Sequence, residues 1–391
     1  MTAAVIVDVV RTPSGRGKPG GALSRVHPVD LAAGTLSALL ERNGLDSRQV
    51  DDVLMGCVSQ TGDQAANIAR QAVLAAGFDE TVPAATIDRQ CGSSQQAVHF
   101  AAQGIIAGAY DVVIAAGVES MSRVPLGSSG TGGANADGIQ RRYPDGLVNQ
   151  GVSAELIAQR WGLTRAELDA YAARSHRRAA EAASAGRFAS DLLPVRTPDG
   201  LVETDETIRP ATTVDQLAGL SPAFRADDLV ERFPDLRWQI TAGNSSPLTD
   251  AASAALIMSE DRAHALGLTP RARFHAFAVV GDDPVMMLTA PIPATRRILE
   301  RTGLSIEDLD AYEVNEAFAS VPLAWLRELE ADPAKLNPWG GAIALGHAVG
   351  ASGTRLLGTL VAYLEHTGGR YGLQTMCEGG GMANATIIER L

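Results

Sequence analysis

Residues 40–45 read Leu-Glu-Arg-Asn-Gly-Leu and residues 299–304 read Leu-Glu-Arg-Thr-Gly-Leu, identical at five of six positions. The correspondence runs on. Val50-Asp51 matches Leu309-Asp310, and the apolar stretch Val53 to Met55 matches Tyr312 to Val314. Each copy reads as a helix stopped by glycine, a short acidic turn and then a strand. Glycine ends helices because it takes the left-handed conformation without a Cβ penalty. Helix–glycine–strand junctions are common, yet this many matching columns point to two halves of one duplicated α/β unit.

The segments around the repeat fit that reading. Ala84–Ile87 reads as a strand running towards Cys91, Ser93–Gly108 as a helix and Val112–Ala116 as a buried strand. Strand–helix–strand order with an apolar second strand implies a mostly parallel sheet. The second half repeats the logic with a helix over Gly350–His366 and a strand over Tyr371–Met376. Between the halves the composition shifts. Residues 127–138 are rich in Gly, Ser and Ala and read as a loop, and Val152–Gly186 reads as one helical stretch. The expected division is a first half at 1–119, to which 246–268 returns, an insertion at 120–245, and a second half at 269–391.

Composition narrows the function classes. The chain has 391 residues, 46% of them hydrophobic, which is too much for one ordinary core. Its formal net charge of −12 argues against general nucleic-acid binding, which needs many Lys and Arg at the phosphates. Three cysteines, Cys57, Cys91 and Cys377, do not make a disulfide framework and suggest a reducing compartment. No apolar run approaches the ~20 residues of a membrane span. The opening Met1 to Arg11 reads as a strand and not as a signal peptide, so the expected location is the cytoplasm.

Four stretches carry chemistry. In Ile87-Asp88-Arg89-Gln90-Cys91-Gly92-Ser93 a strand ends and a helix begins just past the cysteine. A helix N-terminus has unpaired N–H groups and partial positive charge, so the reading expects a lowered thiol pKa and a reactive thiolate. A lone cysteine is otherwise an inert buried residue. In Gly340-Gly341-Ala342-Ile343-Ala344-Leu345-Gly346-His347-Ala348, the imidazole is expected to be exposed, rigidly held and able to take a thiol proton. Its place in the second half matches the turn that holds Cys91. In Cys377-Glu378-Gly379-Gly380-Gly381, three glycines offer accessible N–H groups of the kind an oxyanion site needs. In Val314-Asn315-Glu316-Ala317-Phe318, at the end of the repeated strand, Asn315 can donate to a water or an oxyanion, and Glu316 can hold the loop.

Together these stretches resemble the thiolases, the family of 3-ketoacyl-CoA thiolases and acetyl-CoA acetyltransferases. Arg11-Thr12-Pro13, Gly117-Val118-Glu119-Ser120-Met121-Ser122 and Thr241-Ala242-Gly243-Asn244-Ser245-Ser246 are similar to thiolase segments too, so the resemblance spans the chain. It implies two similar five-stranded halves in an α/β/α/β/α layering, an inserted loop domain over coenzyme A, and a homodimer or homotetramer. It also implies a reaction: thiolytic cleavage of a 3-ketoacyl-CoA to acetyl-CoA and a shortened acyl-CoA. The alternative in the same family is condensation of two acetyl-CoA. Coenzyme A and acyl-CoA are the expected substrates, with no resident cofactor or metal.

Carried over by resemblance, Cys91 is the nucleophile that becomes acylated and His347 activates it. His347 and a water held by Asn315 bind one thioester oxygen. Cys377 is the acid/base towards the second substrate. The N–H groups of Cys91 and Gly379 form a second oxyanion hole, and Ser246 lies along the pantetheine. The sequence departs from the family where substrate binds. Ala348 replaces the usual Pro after Gly-His, and Asp88 stands where many members carry Asn. Asn149-Gln150 replaces the His-Met pair of short-chain acetoacetyl-CoA enzymes. Ser221 replaces an Arg near the adenine, with Arg225 as a substitute, and Asp227–Trp238 is enlarged. A ketoacyl-synthase type of condensing enzyme would lack a cysteine like Cys377. A non-catalytic acyl-CoA binding relative would not need Cys91, His347, Asn315 and Cys377 together.

Overall fold

The computed structural model describes residues 2–130 and 136–391, so part of the Gly/Ser/Ala-rich 127–138 loop lies outside the described residues. The strands are β1 (Ala4–Arg11), β2 (Gly15–Arg16), β3 (Asp52–Gly56), β4 (Ala84–Ile87), β5 (Val112–Ser120), β6 (Val195–Thr197), β7 (Gly200–Val202), β8 (Thr249–Ser259), β9 (Ala272–Gly281), β10 (Ala311–Val314), β11 (Tyr371–Glu378) and β12 (Met382–Arg390).

The duplicated signal marks equivalent places. The helix Pro28–Asn43 ends on Gly44 at φ 60°, and the helix Pro291–Thr302 ends on Gly303 at φ 69°. Each leads into a strand with parallel partners, β3 in the first half and β10 in the second. The first half is ordered β1-β8-β5-β3-β4 and the second β9-β12-β11-β10, with β1 and β9 adjoining. That join is only two residue pairs long, Val5 with Arg273 and Ile6 with Ala272.

The second half therefore has four regular strands where five were expected. The fifth position is held by a single parallel bridge from Tyr312 to Leu336. Asn337, the next residue, adopts φ 42° and turns the chain away before a ladder can grow. The equivalence still holds at the level that matters. β4 lies beside β3 and leads to Cys91, and the Leu336 bridge lies beside β10 and leads to the loop of His347.

Layering follows from which faces are apolar. The helices Pro28–Asn43 and Ile68–Ala75 cover the outer face of the first half. The helices Pro291–Thr302 and Ser320–Leu329 cover the outer face of the second. Between the halves, the helices Ser93–Ile106 and Ser352–Thr367 pack on each other through Ala97, Ala101, Ile105, Leu357, Val361 and Leu364. The result is an α/β/α/β/α fold. Both central helices start at the same level, which brings the Cys91 turn and the His347 loop together.

One expectation needs correction in detail. The stretch Val152–Gly186 is two helices, Gln150–Arg160 and Arg165–Ser184. Gly162 at φ 59° breaks the run, and Thr164 restarts it in a reciprocal cap with Glu167. One strand is not singled out in the sequence. β8 is buried throughout and inserts between β1 and β5. Its Ala-rich sequence has little strand propensity, so only its neighbours on both sides make it a strand.

Candidate active site

The Cys91 turn is built by local hydrogen bonds. Asp88 Oδ1 accepts from the Gln90 N–H at 2.7 Å, and Gln90 sits at φ 48°. Ser93 Oγ accepts from the Arg89 N–H at 2.9 Å and donates to Gln90 O at 2.6 Å. These contacts aim Cys91 inward, where it is buried with Val58, Met121, Val349, Leu356 and Met376. Gly92 has no alternative: a Cβ there would lie 2.0 Å from Glu378 Oε1.

Cys377 is the penultimate residue of β11, and Gly380 and Gly381, at φ 84° and 79°, turn the chain into β12. The turn brings the Gly379 N–H to Cys91. The backbone N–H groups of Cys91 and Gly379 favour the charged form of the Cys91 thiol, and Gly379 packs on the turn itself, where a Cβ would lie 3.0 Å from Gln90 Oε1. Two motifs almost three hundred residues apart thus meet at one turn.

The expected lowering of the thiol pKa does not occur. Burial, with Glu378 adding to it, pushes Cys91 up to about 12 against the pull of those two N–H groups. Desolvation of a small anion outweighs two backbone dipoles. Cys377 is also pushed well up, by burial first and then by Cys91 and Glu378. Both cysteines rest as neutral thiols, so Cys91 must lose its proton to a base during reaction.

His347 is buried as well, not exposed as the glycine-rich loop suggested. Its N–H donates to Thr249 Oγ1 at 2.9 Å. Its ring is held at both nitrogens: Nδ1 lies 2.7 Å from Ser352 Oγ, and Nε2 lies 3.3 Å from Asn315 Nδ2. Ser352 Oγ already donates its one proton to Ala348 O at 2.9 Å, so it must accept from Nδ1–H. That leaves the lone pair on Nε2, facing the Asn315 amide. Burial, aided by Arg355, lowers His347 to about 3, so the imidazole is neutral. Val349, two residues on, packs in the cluster that contains Cys91.

Asn315 follows β10, and its N–H donates to Thr375 O at 3.0 Å on β11. Its Oδ1 is buried and, among the described residues, has no partner, which leaves an acceptor for water or substrate. Glu316 anchors the segment. It accepts from Tyr171 Oη (2.8 Å), Ser175 Oγ (2.7 Å), Asn337 Nδ2 (2.9 Å) and the Ile343 N–H (3.1 Å). One carboxylate so ties the inserted helix Arg165–Ser184 to the loop that precedes His347. Glu119, at the end of β5, does the same on the other side. It accepts from the N–H groups of Val58, Ser59 and Gly350 and from Gln64 Nε2.

The residues expected to meet substrate gather around Phe224. A Cβ at Gly151 would lie 2.1 Å from the Phe224 ring, so the start of the helix Gln150–Arg160 rests on it. Phe224 meets Phe318 edge to face, centroids 5.7 Å apart. The Ser246 N–H donates to Ala317 O at 3.0 Å, which places half-buried Ser246 beside the Asn315 segment. Asn149 is spent on capping its own helix, accepting from the Val152 N–H at 3.1 Å. Gln150 is half-buried, and Ser221 and Arg225 are exposed on the segment that carries Phe224. The enlarged Asp227–Trp238 segment contains an exposed short helix, Asp227–Arg232. Sequence reasoning missed Ser352 and Thr249, which orient His347. Ser352 lay five residues past the histidine, a spacing with no meaning until the helix start is known.

Comparisons with known proteins agree over the whole chain. The model of the thiolase N-terminal domain matches residues 4–261, and that of the thiolase C-terminal domain matches residues 268–390. A steroid 3-ketoacyl-CoA thiolase of Mycobacterium tuberculosis is 49% identical, over 100% of this chain and 95% of that protein. A 3-ketoacyl-CoA thiolase of Pectobacterium carotovorum is 44% identical over 100% of both. Among solved structures, the acetyl-CoA acetyltransferase of Bacillus anthracis superposes with a TM-score of 0.88 at 38% identity, covering 100% of this chain and 99% of that one.

Proposed function

We propose a reaction course for this chain from the premise that it belongs to the thiolase family, whose two domain models together match residues 4–261 and 268–390. It is a 3-ketoacyl-CoA thiolase, an acyltransferase of lipid metabolism that works on acyl-CoA. The residue roles rest above all on one observation: the Gln90-Cys91-Gly92 turn packs against the Glu378-Gly379 turn, with a Cβ on Gly92 falling 2.0 Å from Glu378 Oε1 and one on Gly379 falling 3.0 Å from Gln90 Oε1.

Cys91 attacks the 3-keto carbon of the substrate, and its proton passes to His347 Nε2, the nitrogen with the lone pair. The keto oxygen becomes an oxyanion that takes up the Cys91 and Gly379 N–H groups, which are preorganised and cost no reorientation. The bond between carbons 2 and 3 then breaks. Its electron pair goes to the acetyl-CoA enolate, whose oxygen is met by the new Nε2–H and by a water on Asn315. The Cys377 thiol protonates carbon 2, and acetyl-CoA leaves. Coenzyme A enters and gives its thiol proton to the Cys377 thiolate. Its sulfur attacks the acyl-Cys91 carbonyl, and Cys91 departs and recovers its proton from His347. Every group ends as it began. Two cysteines in different surroundings serve two proton tasks.

Segment 120–245 covers coenzyme A in this reading, with Ser246 along the pantetheine and Gln150, Ser221 and Arg225 near the ligand. The convergence of these stretches on Phe224 and Phe318 supports it. The acyl group is longer or bulkier than acetoacetyl, in keeping with the 49% identical relative named for steroid substrates. A homodimer or homotetramer is proposed too, supported by β4 at the sheet edge and by exposed Leu74 and Phe100 on helices flanking it. Among the described residues no helix is long and apolar enough to cross a membrane. The test of the mechanism is trapping: brief incubation with a 3-ketoacyl-CoA, then peptide mass analysis. The acyl group should be found on Cys91, and its appearance elsewhere would overturn the assignment.

A further inference from the structure

Glu378 stands between Cys377 and Gly379 and is completely buried. On a strand, side chains alternate faces, so Glu378 shares the face of Met376 and not that of Cys377. Met376 packs in the cluster around Cys91. The carboxyl is pressed against the Cys91–Gly92 turn so closely that a Cβ on Gly92 would fall 2.0 Å from its Oε1 and 2.8 Å from its carboxyl carbon. Among the described residues neither carboxyl oxygen has a hydrogen-bond partner. Glu119 and Glu316, two other buried carboxylates of this region, each accept from four donors. A buried carboxyl left without donors is costly as an anion, and a protein seldom keeps one without a use.

We propose that Glu378 is a positioning residue for the nucleophile: its carboxyl holds a proton beside Cys91 while the thiolate forms, and its ionisation shuts acylation down. This rests on the reading of Cys91 as the nucleophile. Two kinds of group face the carboxyl. From the turn before the helix Ser93–Ile106 come Cys91 and Arg89, whose Nη1 lies 3.8 Å from Met382 Sδ. From the hairpin comes the Asn384 backbone, while the Cys377 thiol, on the other face of the strand, feels the carboxyl only through its charge. Burial pushes Glu378 up to about 8, against the pull of the Arg89 charge and a weaker one from the Asn384 backbone, which lies outside hydrogen-bond geometry. Below that pH the carboxyl is neutral and adds no charge against a developing thiolate. Above it, a buried carboxylate lies beside the turn that carries the buried sulfur, and a second negative charge is opposed. The Cys91 thiol feels this carboxylate as the strongest charge against it.

The measurement is the pH dependence of Cys91 alkylation by iodoacetamide, followed by peptide mass analysis, in the full-length enzyme and in Glu378→Gln. The variant keeps the shape and cannot ionise. Its alkylation midpoint should fall by about one pH unit or more, the usual reach of a close like charge. Pre-steady-state acylation of the wild type should decline above pH about 8, and the variant should lack that decline. A second variant, Arg89→Gln, removes the cation that favours the carboxylate and should move the decline to higher pH. If Glu378→Gln folds with the wild-type circular dichroism and leaves the alkylation midpoint in place, the proposal fails. If it misfolds, an unmoved decline in Arg89→Gln defeats it instead. Acyl adducts missing from Cys91 in the wild type would refute the nucleophile assignment, a result separate from either.

Discussion

Ser352 Oγ accepts from His347 Nδ1 at 2.7 Å while donating to Ala348 O at 2.9 Å, so one hydroxyl fixes which imidazole nitrogen carries the proton. Replacing Ser352 by Ala frees the ring to adopt either tautomer and to rotate. kcat should fall about tenfold, the ~1.4 kcal/mol equivalent of one hydrogen bond. KM should change little, because Ser352 lies behind the imidazole. Steady-state kinetics at neutral pH check this, and an unchanged kcat would show that Asn315 alone orients the ring.

Cys91→Ala should lower thiolysis by on the order of 10⁴-fold or more, as removal of a nucleophile does elsewhere. The smaller side chain leaves only a small void in its cluster, so the thermal midpoint should stay close to wild type. Cys377→Ala should separate the two thiols. Incubated with a simple acyl-CoA, it should still form an adduct on Cys91 by mass spectrometry. It should not turn over a 3-ketoacyl-CoA, since the enolate has lost its proton donor. An adduct-free Cys377→Ala protein would contradict this division of labour.

Buried carboxyls make stability depend on pH. Glu313 on β10 is pushed by burial from 4.5 up to about 8, even with Arg355 opposing. Its folded form binds a proton that its unfolded form releases, so stability is complete below the unfolded value and declines as pH rises to about 8. Glu313→Gln cannot titrate. The stability difference between wild type and variant, measured by urea unfolding, should therefore shift against the wild type between pH 5 and 8. The slope of that difference with pH is the readout, and parallel curves would be the contrary result.

Substrate choice is decided by kcat/KM for acetoacetyl-CoA against a medium-chain and a ring-bearing 3-ketoacyl-CoA. The longer or bulkier substrates should be preferred by ~10–200-fold, the range available to one or two pocket side chains. Asn149 contributes little to this, because its side chain caps a helix. Gln150→Ala should accordingly reduce the preference more than Asn149→Ser, which keeps the cap. A preference for acetoacetyl-CoA would instead make this an acetyl-CoA acetyltransferase.

The linear chain by itself determined the duplicated α/β plan, because Gly44 and Gly303 stop equivalent helices and local backbone chemistry dictates such stops. It also marked Cys91, His347, Asn315 and Cys377, since chemistry needs rare side chains at strand ends and glycine-rich turns. Their ionisation belonged to the tertiary structure alone. A helix start argues for a thiolate, but the free energy of a charge depends on how much water remains around it, and that is set by segments far away in sequence. Met376 and Val349 bury the sulfur, Glu378 opposes its charge, and Gly379 offers it an N–H. Likewise, no spacing rule joins Ser352 to His347 Nδ1 or leaves Asn315 Oδ1 and Glu378 without donors. Those relationships arise where two halves of a repeat, each ordinary alone, close on one another and exclude solvent.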